Sequence, residues 1–204
     1  MGADQEREWV LGAREGDQAC FGKLVQAFQG PVYNLAYRML GNSAEAEDAA
    51  QETFLRVYRR LDSYDPQRKL SSWILSIASH YCIDCLRKRR GVMVSMEEIN
   101  SWRWVPDDRP KPEERVMDVE ASDAMRQMLD GLPPQYRLVI VLRYWQDLSY
   151  AEISEVTGAS ISAVKSRLHR ARQMMATQVK ESEQYQVQHT TQRRESVNAL
   201  SRSF

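Results

Sequence analysis

The stretch HYCIDC carries the residues best suited to chemistry of their own: His80, Cys82 and Cys85 bring an imidazole and two thiols close together along the chain. A histidine beside a C-x-x-C pair suits either zinc or a redox dithiol. Tetrahedral zinc needs further donors, and Cys20, His169 and His189 stand at no ligand-like spacing. On a helix, Ile74, Ile77, Ala78, Tyr81, Cys82 and Cys85 recur at i, i+3, i+4, i+7, i+8 and i+11, one continuous apolar stripe. His80 then points roughly 200° away from Cys82. The thiols are read as small core hydrophobes, and no metal or cofactor is expected. No glycine-rich phosphate loop and no nucleophile–base pair are evident, so the chain is not read as an enzyme.

The opposite face of the same helix carries a different chemistry. Trp73, Ser76, His80 and Arg87 recur along it, and Lys88, Arg89 and Arg90 extend its positive end. An aromatic ring, hydrogen-bonding groups and cations on one face suit a single nucleic-acid strand with unstacked bases. The preceding DSYDPQRKLSS, opening with Asp62, Ser63 and Tyr64, can form a loop over an extruded base. The competing reading makes Trp73 a core residue and His80 an ordinary surface histidine.

A second constellation lies farther on. Ser149 can cap a short helix over 150–157 with Ile153 and Val156 facing inward, and Gly158 supplies a turn that needs a positive φ. Ser160 or Ser162 then caps a longer helix with Ile161, Val164 and Leu168 on its apolar side. That is a helix-turn-helix pattern. Lys165, Arg167, Arg170 and Arg172 project from the second helix with no acidic residue between Ser160 and Arg172, and Ser162, Ser166 and His169 add short polar groups. In a major groove, arginine reads guanine edges while serine and lysine hold phosphates.

The elements that must position these groups read as helical throughout. Asp17 is a candidate cap for QACFGKLVQAF, which Gly30-Pro31 is expected to interrupt; VYNLAYRML follows and ends at Gly41. Asn42 or Ser43 caps AEAEDAAQETFLRVYRRL, in which Ala46, Ala49, Ala50, Phe54, Val57, Tyr58 and Leu61 keep helical spacing. Pro133-Pro134 suits the first turn of another helix. The predicted fold is all-α: two small helical domains, 1–90 and 122–180, joined by a flexible acidic linker over 91–121, with a disordered tail over 181–204. Helices are expected to begin again from about Glu113, and Trp102 and Trp104 in the linker suit docking, on a partner or on the chain's own domains.

Formal net charge is zero, but it is unevenly laid out. Residues 53–90 hold nine Lys/Arg against three Asp/Glu and residues 131–180 seven against three, whereas 1–52 hold four against nine and 91–130 five against ten. Two basic blocks alternating with acidic ones suggest two contacts with an anionic polymer. The acidic N-terminus lacks an apolar signal core, no run suits a membrane span, and three cysteines give no disulfide framework. A cytoplasmic protein without membrane insertion is expected.

Taken together, AEDAAQETFLRVYRRL, LSSWILSIASHYCIDCLRKRR and LPPQYRLVIVLRYWQDLSYAEISEVTGASISAVKSRLHRAR resemble an extracytoplasmic-function sigma factor of bacteria, over about residues 17–90 and 122–175. The resemblance implies a region-two domain whose Asp48, Gln51, Glu52 and Arg56 bind the β′ clamp helices of core RNA polymerase. It assigns Asp62, Ser63, Tyr64, Trp73, Ser76, His80, Arg87 and Lys88 to the single-stranded minus-ten element. It assigns Ser160, Ser162, Lys165, Ser166, Arg167, His169, Arg170 and Arg172 to the minus-thirty-five duplex, in a region-four domain that also meets the β flap. The linker would thread toward the polymerase active-site channel, and an anti-sigma factor would restrain the protein. His80 departs from the asparagine frequent in the family, which bears on the preferred minus-ten base. The rival reading is a one-component helix-turn-helix regulator, which calls for a ligand pocket or dimer face in the N-terminal half.

Overall fold

The computed structural model describes residues 3–89 and 125–180, and every regular element among them is helical. The expected linker over 91–121, with Trp102 and Trp104, and the tail over 181–204 lie outside the described residues, as does Arg90.

Helix α1, Ala3–Arg14, was not expected from the sequence. It ends in a tight reversal at Gly16, whose φ of 90° is cheap only for glycine. Asp17 then caps α2, Gln18–Leu40, its carboxylate accepting from the amides of Ala19 and Cys20. The Gly30-Pro31 pair does not break this helix: α2 runs through Pro31 for 23 residues. Proline removes one backbone donor and costs about 3 kcal/mol inside a helix. Here Phe28, Val32, Leu35, Ala36, Met39 and Leu40 are buried on either side of it, and their packing outweighs the lost bond. Gly41 closes α2 with φ 73°, and Asn42 caps α3, Ser43–Arg60.

A short 3-10 turn, Leu61–Ser63, follows α3, and α4, Leu70–Arg89, carries the apolar stripe inward. Ile74, Ala78 and Cys82 are fully buried and Ile77 nearly so, while Tyr81 and Cys85 are half-buried. Helices α1 to α4 form one bundle, and Arg89 ties its far end by an ion pair to Glu45 and a bond to the Leu40 carbonyl (3.0 Å).

The second group comprises α5, described over 125–130, α6, Pro134–Tyr144, α7, Tyr150–Thr157, and α8, described over 161–180. Pro134 opens α6 as expected. Ser149 and Glu152 form a reciprocal capping box on α7, and Gly158 ends it with φ 69°. The Ser160 hydroxyl, not that of Ser162, accepts from the Ala163 amide (3.2 Å) at the start of α8. Val164 and Leu168 are buried as expected, but Ile161 is 45 % exposed, because it stands before the turn at which α8 meets the core.

The two groups pack on each other, α4 against α7 and α2 against α6. Arg137 of α6 is buried at this seam and donates to the Met39 carbonyl (2.7 Å) and to both the carbonyl and the carboxylate of Asp130 (2.9 Å each). Arg38 lies over the Trp145 ring (4.8 Å), and Gln146 donates to the Pro31 carbonyl (2.9 Å).

Candidate nucleic-acid interface

The loop between α3 and α4 is wired from inside. Tyr64 is buried, its ring packs on Trp73 with centroids 5.1 Å apart, and its hydroxyl donates to the Arg68 carbonyl (2.6 Å). Asp65 accepts from the Gln67 amide (2.9 Å), closing a local turn. Trp73 is only 8 % exposed, so of the two readings of this tryptophan the structure takes the core one. The loop shows Asp62, Ser63, Asp65, Pro66, Gln67, Arg68 and Lys69 to solvent. The Ser63 hydroxyl donates to the Arg60 carbonyl (2.7 Å), which leaves its oxygen lone pairs as acceptors, and Asp62 is exposed beside it.

Along α4, Ser76 is half-buried and donates to the Trp73 carbonyl (2.7 Å), and His80 is exposed. His80 Nδ1 stands 2.6 Å from the Ser76 carbonyl, an acceptor, so Nδ1 carries the proton and Nε2 faces solvent. Arg87 and Lys88 are exposed at the end of the helix, Arg87 beside Asp84 (3.8 Å). His80 and Arg87, seven residues apart, share one exposed face of α4, with Lys88 exposed beside them, and Asp62 and Ser63 are exposed at the loop. Tyr64 and Trp73 lie beneath the loop as its frame. Burial, with Cys85 nearby, pushes the Cys82 thiol up to about 12, the behaviour of a core residue rather than of a reactive thiol. Among the described residues, no cluster of three or more His, Cys, Asp or Glu converges as a metal site.

On α8, Ser160, Ser162, Lys165, Ser166, His169, Arg170 and Arg172 are all exposed and Arg167 is half-buried. Arg172 Nε turns back to the Leu168 carbonyl (3.3 Å). The remaining groups make a polar, cationic face opposite Val164, Leu168 and Ala171, which hold the helix to the core.

On α3, Asp48 and Gln51 are exposed, and Glu52 pairs with Arg56 (2.7 Å), whose guanidinium lies over the Tyr81 ring (4.8 Å). Beside them sequence reasoning missed an apolar groove of about 460 Å³ between α2 and α3, lined by Phe21, Val25, Ala50, Phe54, Leu55 and Tyr58. Leu55 and Tyr58 are each 53 % exposed, Tyr58 with its ring edge-on to Phe21 at 5.0 Å. Tyr58 keeps the helical spacing of the α3 apolar positions but stands at the solvent edge of that stripe. The signal was present in Leu55, an apolar residue one helical turn from Gln51 on a polar face.

Contact between the two helical groups touches the loop directly. Lys69 Nζ pairs with Glu152 of α7 (2.6 Å), and Arg68 donates to the Glu155 carbonyl (3.3 Å). The Lys69 ammonium, then the Ser149 cap, hold the Glu152 carboxyl down to about 2, and Glu152 in turn raises Lys69.

Comparison with known proteins gives two family matches in this chain: Sigma-70 region 2 over residues 24–92 and Sigma-70 region 4 over residues 122–175. The ECF RNA polymerase sigma factor SigW of Bacillus subtilis strain 168 is 37 % identical over 174 residues, covering 82 % of this chain and 93 % of that protein. The ECF RNA polymerase sigma factor SigE of Mycolicibacterium smegmatis is 38 % identical over 164 residues, covering 78 % of this chain and 63 % of its own length. Among solved structures, CnrH in complex with the cytosolic domain of CnrY superposes with a TM-score of 0.65 at 26 % identity, over 87 % of this chain and 99 % of CnrH.

Proposed function

Because the chain belongs to the extracytoplasmic-function sigma factors of the sigma-70 family, we propose that the two surfaces described above divide promoter recognition between them. The protein is an alternative sigma factor for transcription initiation. The outward face formed by Asp62, Ser63, His80, Arg87 and Lys88 takes the non-template strand of the minus-ten element, with His80 Nε2 available to a base edge and the cations to the backbone. Tyr64 and Trp73 act beneath that face by fixing the loop, and Ser76 by fixing His80. The α8 face from Ser160 to Arg172 reads the minus-thirty-five duplex in the major groove.

For core polymerase we propose Asp48, Gln51, Glu52 and Arg56 together with the adjoining apolar groove. A polar helix edge beside an apolar trough fits an amphipathic helix of the partner, which is how helical clamps dock. The acidic opening block then serves recognition of protein rather than DNA. An anti-sigma factor is proposed as a further partner; the solved relative CnrH, bound to the cytosolic domain of CnrY, supports a protein-binding role for this fold. We assign the chain no chemistry of its own and a cytoplasmic place of action. Among the described residues, no helix is long and apolar enough to cross a membrane. The rival reading as a one-component regulator is set aside, since the two family matches, in this order, account for both halves of the chain.

The observation that supports the division of labour is that Asp62, Ser63, His80, Arg87 and Lys88 are all exposed, on the loop and α4, while a second exposed polar and cationic set lies on α8. The test is binding to core RNA polymerase without its own sigma subunit, followed by transcription from a promoter library. Start sites sharing two spaced motifs are the expected result. Binding to duplex DNA alone, with polymerase ignored, would sink the proposal.

A further inference from the structure

Helix α1 lies wholly before the matched family region, which begins at residue 24. Its last residue, Arg14, reaches across the bundle to the far end of α3, 47 to 50 positions away in sequence. There its guanidinium meets three backbone carbonyls: Nε donates to Leu61 (3.1 Å), and Nη2 to Tyr64 (2.5 Å) and, more weakly, to Asp62 (3.4 Å). These carbonyls close α3 and form the 3-10 turn that opens the loop. The Leu61 carbonyl also accepts from the Tyr64 amide (3.1 Å), and all three lie just past the C-terminal, negative end of the α3 dipole, where a cation is favoured. A planar cation with several donors can hold such a set at once, and lysine cannot.

We infer that Arg14 is a positioning residue for promoter melting: it clamps the backbone of 61–64 and so fixes the loop that presents Asp62 and Ser63 to the separated strand. The inference rests on the strand-binding role proposed above for that loop. Three observations converge on it. The clamp grips main-chain oxygens, so it sets the path of the backbone whatever side chains the loop carries. Tyr64 is held on both sides, its carbonyl by Arg14 from outside and its ring by Trp73 from within. The side chains left outward between these anchors are those of Asp62 and Ser63. The turn at Gly16 and the Asp17 cap fix where α1 ends and hence where Arg14 starts its reach, since the Asp17 amide donates back to the Gly12 carbonyl (2.9 Å). The N-terminal helix thus contributes to strand capture without touching the strand.

The test compares Arg14→Ala and Arg14→Lys with the parent chain, each assembled with core polymerase. Three readouts separate the roles: affinity for core, binding of minus-thirty-five duplex, and open-complex formation followed by permanganate reactivity of unpaired thymines. Amide exchange over 61–66 in the unassembled full chain is measured alongside. For R14A, core affinity and duplex binding are expected to hold, open complexes to fall by about tenfold or more, and exchange to quicken in 61–66 alone. R14K should fall between, since a point charge satisfies fewer of the three acceptors. Unchanged melting in R14A would overturn the proposal. A parallel loss in all three functional readouts would also overturn it, reducing Arg14 to a general fold contact. A parent chain that binds core but opens no promoter would instead overturn the strand-binding role on which this rests, whatever R14A does to loop exchange.

Discussion

At the scale of single residues, the tasks divide between side chains that face outward and side chains that aim them. His80 is the sharpest case, because its Nδ1 proton is committed to the Ser76 carbonyl and Nε2 is left as the working atom. His80→Ala should abolish open-complex formation while duplex binding on minus-thirty-five DNA is retained, as read by fluorescence of a base analogue in the minus-ten element. On α8, Arg170 is exposed. Arg170→Ala should weaken promoter-duplex binding by about 1–3 kcal/mol and relax sequence preference, measured by titration against a panel of single-base variants. Uniform weakening with a shallower salt slope would show a phosphate contact instead. These outward residues were legible from type and spacing. Tyr64 and Trp73 were not, because an aromatic beside polar groups looks the same whether its ring lies over a base or under a loop. Only the packing of one ring on the other separates the two cases.

At the scale of elements, caps and turns decide where the functional faces end up. The capping box of Ser149 and Glu152 starts the first helix of the helix-turn-helix, and Gly158 with φ 69° sets its angle to α8. Ser149→Ala should lower stability by about 1 kcal/mol, visible as a fall in Tm, with the cap rather than the DNA face as the cause. On α3 the apolar groove invites a direct trial: Leu55→Asp, at a side chain already 53 % exposed, should leave Tm nearly unchanged yet weaken core-polymerase binding by about tenfold or more in a competition assay. Helix identity was readable over α3, α4 and α6 to α8, where periodicity and caps agree. It failed at Pro31, because local rules weigh a missing donor but not the buried side chains on both sides of it. It failed again at α1, where the apolar positions, Val10 and Ala13 with Trp9 beside them, make a stripe too short to announce the helix, and the reversal at Gly16 folds it back.

At the scale of the whole molecule, the two helical groups close on each other across the loop itself. Lys69 and Glu152 form an ion pair across that seam, and both partners carry a shifted ionisation. Glu152 is held at about 2 against an ordinary 4.5, so its contribution to docking is fully present above 4.5 and is lost as pH falls toward 2. Lys69 is raised above 10.5, so its share persists below that value and disappears as pH climbs past it. Docking should therefore be insensitive to pH through the neutral range and loosen on acidification. Glu152→Gln separates the two jobs of this residue: glutamine can still complete the capping box but cannot pair with Lys69 as an anion. The variant should keep the α7 helix and the packed seam but lose the acid-sensitive share of docking, read as a shallower fall of Tm between pH 4.5 and 2 than in the parent chain. No pattern in the sequence forecast this seam, since Arg137, Glu152 and Lys69 read singly as ordinary charges.

On the proposed assignment, helix α3 joins polymerase binding to strand capture. Asp48 and Gln51 sit in its first half and the 3-10 turn leaves from its end, with no break between. Eighteen residues of α-helix make a rod about 27 Å long. The rod is a gauge: once one end is seated on the polymerase, the other end fixes how far away, and at what angle, the strand is caught. Adding a single residue within it would advance the loop by only about 1.5 Å but swing it by about 100° around the axis. Such an insertion would point Asp62 and Ser63 away from the DNA while leaving every contact residue intact.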